Sequence, residues 1–541
     1  MITAITIENF KGISEPVMIE FKPVTLLFGA NSTGKSTVFH ALYYLHKILT
    51  QVGDKRDKVI YYDYADFISM VHDNDPAKDI CISLNCNIST SDNHFYALLH
   101  MIDSIPSDLI DSEEVNNLIQ NIVDHKFSHP NVKVKIHIGV MAEQNRTDPV
   151  IKLIEIEFIK TSICIDYRTN KITVTNINNL IVYISHLCEG ICGCSNCDKI
   201  ITEKISAERT PIDIFDEVLL DASGLHSMEM IRREDNNDIT ISYCGEPLVT
   251  SDLHCDTFGI YNNERIRLIQ QPFLLKFINI LLCGLFDNVA EDLGNALYIK
   301  PLRDMPSRSL EYTFSDENSF ATVNKWLGRE KFDTGLYFEN EKQYSISLTN
   351  QEYAEIDSIN KAELVKRISV ASNKLVLKRL NSSQKISLSD VGFGISQLLP
   401  IIDAYTRNIV INHRSYSYIF VEQPELHLHP RMQTVLADMI ISWCYKMSQY
   451  RGDWMSDKEH KTIIETHSEH LLLRILRRIR ETTAGELPVG CDPLSTDQLA
   501  IYYMEQKDGI VRVRNLDVSP DGDSLGDWPK GFFEERAGEL F

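Results

Sequence analysis

Apolar residues along the chain follow two periods, and each change of period marks a change of architecture. Val24-Thr25-Leu26-Leu27-Phe28 is a short, almost wholly apolar run, the pattern of a strand buried on both faces. Beyond it, Val38, Leu42, Leu45 and Leu49 recur at helical spacing. Ile5 and Ile7 predict an earlier strand, and Val17 to Phe21 a second. From about residue 79 to 176 the period is two. Ile80, Ile82, Leu84, Cys86 and Ile88 alternate with polar residues, as do Val132, Val134, Ile136 and Ile138, then Ile154, Ile156 and Phe158. Ile163, Ile165 and Tyr167 turn at Arg168-Thr169-Asn170 into Ile172 and Val174. That alternation predicts an antiparallel sheet with one face on a core and one in water. Residues 200–265 are acidic and without clear period, and read as an insertion; 266–293 read as helical and mostly buried. Tyr418-Ile419-Phe420-Val421 and Thr462-Ile463-Ile464 are further buried-strand runs, each with a helical pattern after it. No sustained heptad pattern is present, which argues against a long coiled coil.

Between the third strand and its helix lies Gly29-Ala30-Asn31-Ser32-Thr33-Gly34-Lys35-Ser36, followed by Thr37. This is the G-x-x-x-x-G-K-[ST] phosphate loop in the strand–loop–helix context that it requires. Its glycines let the backbone curl so that N–H groups face a phosphate, and the helix N-terminus adds partial positive charge. Gly29, Asn31, Ser32, Thr33, Gly34, Lys35, Ser36 and Thr37 are therefore the candidate nucleotide contacts. Lys35 suits the β- and γ-phosphates, and the Ser36 hydroxyl suits Mg²⁺. The strand at 418–421 ends in Glu422-Gln423-Pro424-Glu425, which places a carboxylate where a phosphate loop needs one to hold Mg²⁺, directly or through water. The strand at 462–464 runs through Glu465-Thr466 to His467, a histidine placed to sense a γ-phosphate. Ser389 to Gln397 adds glycines and backbone amides ahead of an apolar helix, a second phosphate-contacting surface.

Composition narrows the picture. A length of 541 residues means several domains or one domain with a large insertion. A formal net charge of −22 repels nucleic acid overall, so a nucleic-acid role needs a local basic patch or a basic partner. Lys133, Lys135 and His137 line one strand face, and read as a solvated face. Arg474, Arg477 and Arg478 share a helix face that suits either a phosphate backbone or a solvated or partner-binding surface. The start MITAITIENF shows no secretory signal, and Phe273 to Phe286 is too short and too interrupted to span a membrane, so a cytoplasmic location is expected. The 12 cysteines then read as thiols or metal ligands. Cys188, Cys192, Cys194 and Cys197, just after His186, either wrap one Zn²⁺ or form a reduced thiol loop. His427, His429, His467 and His470 lack an H-E-x-x-H pattern, and Asp521-Gly522-Asp523 reads as a turn.

The order of phosphate loop, glycine-rich signature, acidic strand end, His-Pro loop and switch histidine resembles the ABC ATPase superfamily. Asn-Phe-Lys-Gly at 9–12, Tyr-Ile-Lys-Pro-Leu-Arg at 298–303 and Asp-Val-Gly-Phe-Gly-Ile-Ser-Gln at 390–397 are similar to the bacterial OLD/RecF-like AAA-type ATPases. So are Glu-Gln-Pro-Glu-Leu-His-Leu-His-Pro at 422–430, Glu-Thr-His-Ser-Glu-His-Leu-Leu at 465–472 and Trp-Pro-Lys-Gly-Phe-Phe at 528–533. The resemblance implies an α/β fold: an ABC-type ATPase head, with a mixed sheet carrying the phosphate loop plus an antiparallel β subdomain, a large α/β insertion and no long coiled coil. The head is expected at 1–60 and 290–541, the antiparallel subdomain at 61–180, and the insertion at 181–289.

The resemblance also implies ATP and Mg²⁺, and a homodimer or higher oligomer packed head to tail. Lys35 and Ser36 would grip phosphates and metal, Glu422 would be the metal-side acid and His467 the switch, while Gly392, Gly394 and Ser396 would complete the partner's site. Gln423 stands where many such proteins carry the catalytic glutamate, and glutamine positions water but takes no proton at neutral pH. Either Glu425 substitutes as base, or hydrolysis is slow and ATP acts as a clamp. Size and arrangement are similar to the ATPase subunits (PtuA) of Septu-type anti-phage defence systems, including retron-associated ones. That implies an HNH-type nuclease subunit as partner and, in the retron forms, a reverse transcriptase with its DNA product. A RecF-like repair ATPase that binds DNA directly, and a non-hydrolysing ATP-locked scaffold, remain the alternatives; Asp521-Gly522-Asp523 stands too near the end for a nuclease domain of its own to follow.

Overall fold

A computed structural model describes residues 2–50, 67–87, 131–140, 149–158, 161–166, 171–175, 285, 288–301, 303, 317–346, 365, 368–382, 384–386, 390–410, 417–449 and 460–522. In chain order the elements are β1 (Ile2–Glu8), β2 (Val17–Glu20), β3 (Val24–Gly29), α1 (Lys35–Thr50), α2 (Phe67–Met70), β4 (Ile80–Asn87), β5 (Asn131–Gly139), β6 (Val150–Phe158), β7 (Thr161–Asp166) and β8 (Lys171–Thr175). There follow β9 (Ala296–Ile299), α3 (Glu317–Leu327), β10 (Leu336–Ile346), β11 (Ile368–Arg379), β12 (Lys385–Ile386), α4 (Phe393–Val410), β13 (Tyr418–Glu422), α5 (Pro430–Gln449), β14 (Lys461–Glu465), α6 (Glu469–Ala484), β15 (Leu499–Lys507) and β16 (Ile510–Asn515).

A six-stranded mixed sheet forms the centre, in the order β16-β15-β3-β14-β13-β9. All its neighbours pair in parallel except β15 with β16. β3, β13 and β14 are buried at every position. Both faces of these strands are covered, which is why their sequences read as continuous apolar runs rather than alternations. Val24, Leu26 and Phe28 point into a core shared with Leu398, Ile402, Leu436, Ile440, Leu472 and Ile475 of α4–α6. In that core the Tyr405 ring meets Trp443 edge-on at 5.5 Å, and its hydroxyl bonds the Thr462 hydroxyl at 2.7 Å. α1 covers the other face, where Phe39 lies 5.4 Å from Phe420 and Tyr43 lies 5.2 Å from Tyr298, centroid to centroid.

The alternating segments form a seven-stranded antiparallel sheet, β2-β1-β4-β5-β6-β7-β8. β1 and β2, which precede the phosphate loop, belong to this sheet rather than to the central one. Lys133 and Lys135 face Glu157 and Glu155 across the β5–β6 pair, and His137 Nε2 lies 3.6 Å from Glu155. The basic stripe is thus matched by acids in register. The two sheets are tied at Ile2: the Tyr418 hydroxyl accepts from its N–H at 2.9 Å and donates to its carbonyl at 3.0 Å, and Lys461 Nζ reaches that carbonyl at 3.3 Å. A small third sheet, β10-β11-β12, packs Leu336, Phe338 and Leu377 onto the helical side of the core.

α5 and α6 are pinned by an ion-pair cluster. Asp438 accepts from Arg478 Nε at 2.7 Å and Nη2 at 3.1 Å, and from Arg474 Nη1 at 3.1 Å. Arg478 is buried and also bonds Glu481, which takes Arg477 Nε at 2.7 Å. All three arginines of that helix face therefore serve internal contacts. Among the described residues no helix is long and apolar enough to cross a membrane. The acidic stretch 200–265 and the motif 528–533 lie outside the described residues. Replacing Asp438 by Ala leaves buried Arg478 with Glu481 alone and is expected to cost about 3 kcal/mol. Urea denaturation checks this; a loss below about 1 kcal/mol, the worth of an exposed pair, would contradict the buried geometry.

Candidate nucleotide-binding site

The site is assembled by strand register. Leu27 of β3 pairs with Glu465 of β14, and Glu465 pairs with Glu422 of β13. Residues side by side in a parallel pair point to the same face. Ile464 and Val421 face the α4–α6 core, so Glu465 and Glu422 face α1, which begins at Lys35. The phosphate loop thus leaves β3 and returns as a helix directly over two carboxylates.

The loop's conformation depends on glycine at two points. Gly29 has φ +145°, and a Cβ there would lie 2.1 Å from the Met504 carbonyl oxygen. Gly34 has φ +92°. Asn31 and Ser32 are exposed, and Ser32 adopts φ 63°. The buried Thr33 hydroxyl closes the loop on Ala30 O at 2.9 Å, and Thr37 N–H donates to Gly34 O at 3.1 Å. Lys35 is buried, and its ammonium donates to Gly29 O at 3.1 Å and Ala30 O at 2.7 Å, with Glu465 Oε1 at 3.7 Å. The lysine is folded back on carbonyls of its own loop. Burial lowers its pKa, and Glu465 opposes that shift. The Ser36 hydroxyl donates to Glu465 Oε2 at 2.5 Å.

The acidic residues divide the work. Glu422 is buried and accepts the Tyr298 hydroxyl; burial pushes its carboxyl up to about 7, while the tyrosine opposes the shift. Glu425 uses both oxygens: one accepts the Thr466 hydroxyl and the other the His467 N–H, each at 2.7 Å. It is a strut between the loops after β13 and β14, and a base role would require breaking it. Burial raises its pKa against those hydrogen bonds. Gln423 sits at φ 43°, with its N–H on the Glu465 carbonyl at 2.7 Å. His467 is half-buried, and burial beside Lys35 lowers its pKa, so the imidazole is neutral at pH 7.

Two residues join the site that the motifs did not single out. Glu465 opens the 465–472 motif at the end of a strand run, with no role of its own assigned to it. Arg303 closes the Tyr298–Arg303 motif. Its guanidinium donates to the carbonyls of Gln397 at 3.2 Å and of Glu422 and Gln423 at 3.3 Å, and its backbone pairs with the Gln397 side chain at 3.1 and 2.8 Å. The exits of β9 and β13 and the start of α4 are thereby one hydrogen-bonded unit. Burial lowers the Arg303 pKa to about 10, leaving it charged.

In the signature segment, Gly392 is exposed and Gly394 packs against the next loop, where a Cβ would lie 2.6 Å from His427 O. The exposed Phe393 ring meets His427 edge-on at 4.5 Å. Ser396 departs from expectation: it is fully buried, and its hydroxyl donates to Phe393 O at 2.8 Å. Ser396 lies in the first turn of α4, and the exposed residues of this segment are Gly392 and Phe393. The four cysteines Cys188, Cys192, Cys194 and Cys197 lie outside the described residues. Among the described residues no group of three or more His, Cys, Asp or Glu is arranged to hold a metal ion. Mg²⁺ needs no such cage, since it is held by one or two protein oxygens plus phosphates and water, and Ser36, Glu422 and Glu465 fit that donor set.

A phosphate loop on a parallel sheet, facing carboxylates at the ends of the neighbouring strands, defines a nucleoside triphosphatase head. The chain's sequence matches the AAA ATPase domain family over residues 1–245 and 308–472, and the protein belongs to that family, as an ATP-binding ATPase. No curated protein matches the chain. Similar solved structures include an Smc head bound to the C-winged helix domain of ScpA, at 11% identity and TM-score 0.36, covering 96% of this chain and 98% of that one. Another is the Smc head domain with an extended coiled coil bound to the C-terminal domain of ScpA, from Pyrococcus furiosus, at 11% identity, TM-score 0.35 and coverage of 100% and 98%. The SMC head domain from Thermotoga maritima overlaps at 9% identity, TM-score 0.33 and coverage of 96% and 99%. These overlaps are loose, and family membership rests on the sequence match.

The Glu422 shift predicts a pH dependence. A carboxyl raised from its ordinary 4.5 to about 7 holds its proton more tightly in the folded chain than in the unfolded one. Its contribution to stability is therefore full below about pH 4.5 and is lost as pH rises through 7. Nucleotide-free protein should lose stability across that window, and Glu422→Gln should flatten that part of the profile in urea titrations. An unchanged slope in the variant would place the Glu422 carboxyl at its ordinary pKa.

Proposed function

We propose that the chain is the ATP-binding and ATP-hydrolysing subunit of a bacterial anti-phage defence complex of the Septu or retron-associated kind. In this reading it is a sensor and scaffold that controls an HNH-type nuclease carried by another chain, with a reverse transcriptase and its DNA added in retron forms. The observation that carries the reading is the division of the site. Lys35, Ser36, Glu422 and Glu465 form a phosphate- and metal-gripping half, while Gly392 and Phe393 turn the start of the glycine-rich helix to solvent. An outward signature is what a head-to-tail pair needs, with each nucleotide sandwiched between two chains. The spellings at 298–303, 390–397, 422–430 and 465–472 support the defence assignment.

Bound Mg·ATP supplies the phosphoryl group and the ion that neutralises it. With nucleotide bound, Lys35 would hold phosphate oxygens in place of the carbonyls of Gly29 and Ala30, and the Ser36 hydroxyl would help to hold the ion. Gln423, at the strand end, orients the attacking water without accepting its proton, so turnover is slow. A second reading, ATP as a clamp without turnover, is favoured by this same glutamine together with the fully engaged Glu425.

Gln423→Glu is expected to raise ATP turnover about a hundredfold, the usual worth of a positioned base. No increase would favour the clamp. Lys35→Ala should abolish ATP binding, ATP-dependent dimerisation measured by light scattering, and protection against phage in a plaque assay with the neighbouring operon. Full protection by that variant would overturn the ATP-dependent model.

A further inference from the structure

We infer that Glu465 is the carboxylate through which this chain contacts the Mg²⁺ of Mg·ATP, sharing the ion with the Ser36 hydroxyl, while Glu422 stands one strand further away. The inference rests on the nucleotide-binding reading above and deepens it.

Three observations carry it. First, Ser36 is the hydroxyl that a phosphate loop offers to magnesium, and its oxygen lies 2.5 Å from Glu465 Oε2. Two oxygens bound to one Mg²⁺ at about 2.0–2.1 Å in octahedral geometry lie about 3 Å apart, so this pair needs only a small opening to admit the ion. Second, Glu465 is 4% exposed and sits in register between Leu27 of the phosphate-loop strand and Glu422. Glu422 instead spends an oxygen on Tyr298. Third, charge has to be conserved around a buried carboxylate. Lys35, 3.7 Å away, supplies the positive charge while it lies on its own loop. When phosphates draw Lys35 off, Glu465 needs a replacement cation, and the ion that accompanies the nucleotide provides it. Lys35 and the metal thus exchange places as counter-charges to one carboxylate.

The test is ATP affinity by calorimetry, with Mg²⁺ and with EDTA, for the full chain and for Glu465→Gln, Glu465→Asp, Ser36→Ala and the Ser36→Ala/Glu465→Gln double variant. Mn²⁺ electron paramagnetic resonance with a non-hydrolysable ATP analogue reports the metal itself. The Mg²⁺ enhancement of binding is expected to fall roughly ten- to hundredfold in Glu465→Gln. Its affinity in EDTA should be equal or higher, and the double variant should be no worse than the poorer single one, because both residues hold one ion. Glu465→Asp keeps the charge and guards against a folding defect; it should lose Mg²⁺ enhancement and regain part of it with Mn²⁺. If both Glu465 variants keep the wild-type enhancement and Mn²⁺ spectrum, the inference fails while ATP binding stands. If the unaltered chain binds no ATP and Lys35→Ala changes nothing, the nucleotide-binding reading itself fails.

Discussion

Two buried carboxylates, side by side on neighbouring strands, are the constraint from which the rest of the site follows. Glu422 and Glu465 are in register on one face of a parallel sheet, both nearly inaccessible to water. Like charges that close in a low-dielectric setting cannot both persist without help. Each has its own remedy: Tyr298 and a raised pKa for Glu422, and Lys35 with Ser36 for Glu465. The phosphate loop is therefore held in shape partly by the residues that would release it when nucleotide binds.

Around this pair the connecting loops are linked by hydrogen bonds. Glu425 joins the loop after β13 to the switch histidine after β14, and Arg303 joins the exits of β9 and β13 to the glycine-rich helix. Gly394 allows that helix to lie against His427. These links fix the strand exits and the start of α4 relative to one another.

Much of this was legible in the sequence, for physical reasons that differ by element. β3, β13 and β14 announced themselves as unbroken apolar runs because both their faces are covered. β5, β6 and β7 announced themselves by alternation because one face of each is buried and the other is more open. The phosphate loop was legible because its geometry tolerates few residues: Gly29 has no room for a Cβ. The hairpin Leu336–Arg379 was not read, because Glu339-Asn340-Glu341-Lys342-Gln343 interrupts its alternation with a polar stretch. Glu465 was passed over because the motif order gives the metal-side role to the acid after β13, and the bond from Ser36 to Glu465 shows only in the folded chain. The burial of Ser396 was not legible because a spacing along the chain does not say which way a helix turns its hydroxyl.

The tie at Ile2 has a mechanical consequence. Tyr418 and Lys461, which grip Ile2, are the first residues of β13 and β14, whose last residues are Glu422 and Glu465. Each strand is 5 residues long, a stiff rod of about 16 Å. One end of each rod carries an acid and the other grips the first residue of β1, an inner strand of the antiparallel sheet. Both strands are held in register by parallel neighbours, so the acids and the grip on Ile2 belong to one hydrogen-bonded ladder. The antiparallel sheet is thus moored to the two strands whose far ends carry the acids of the nucleotide site.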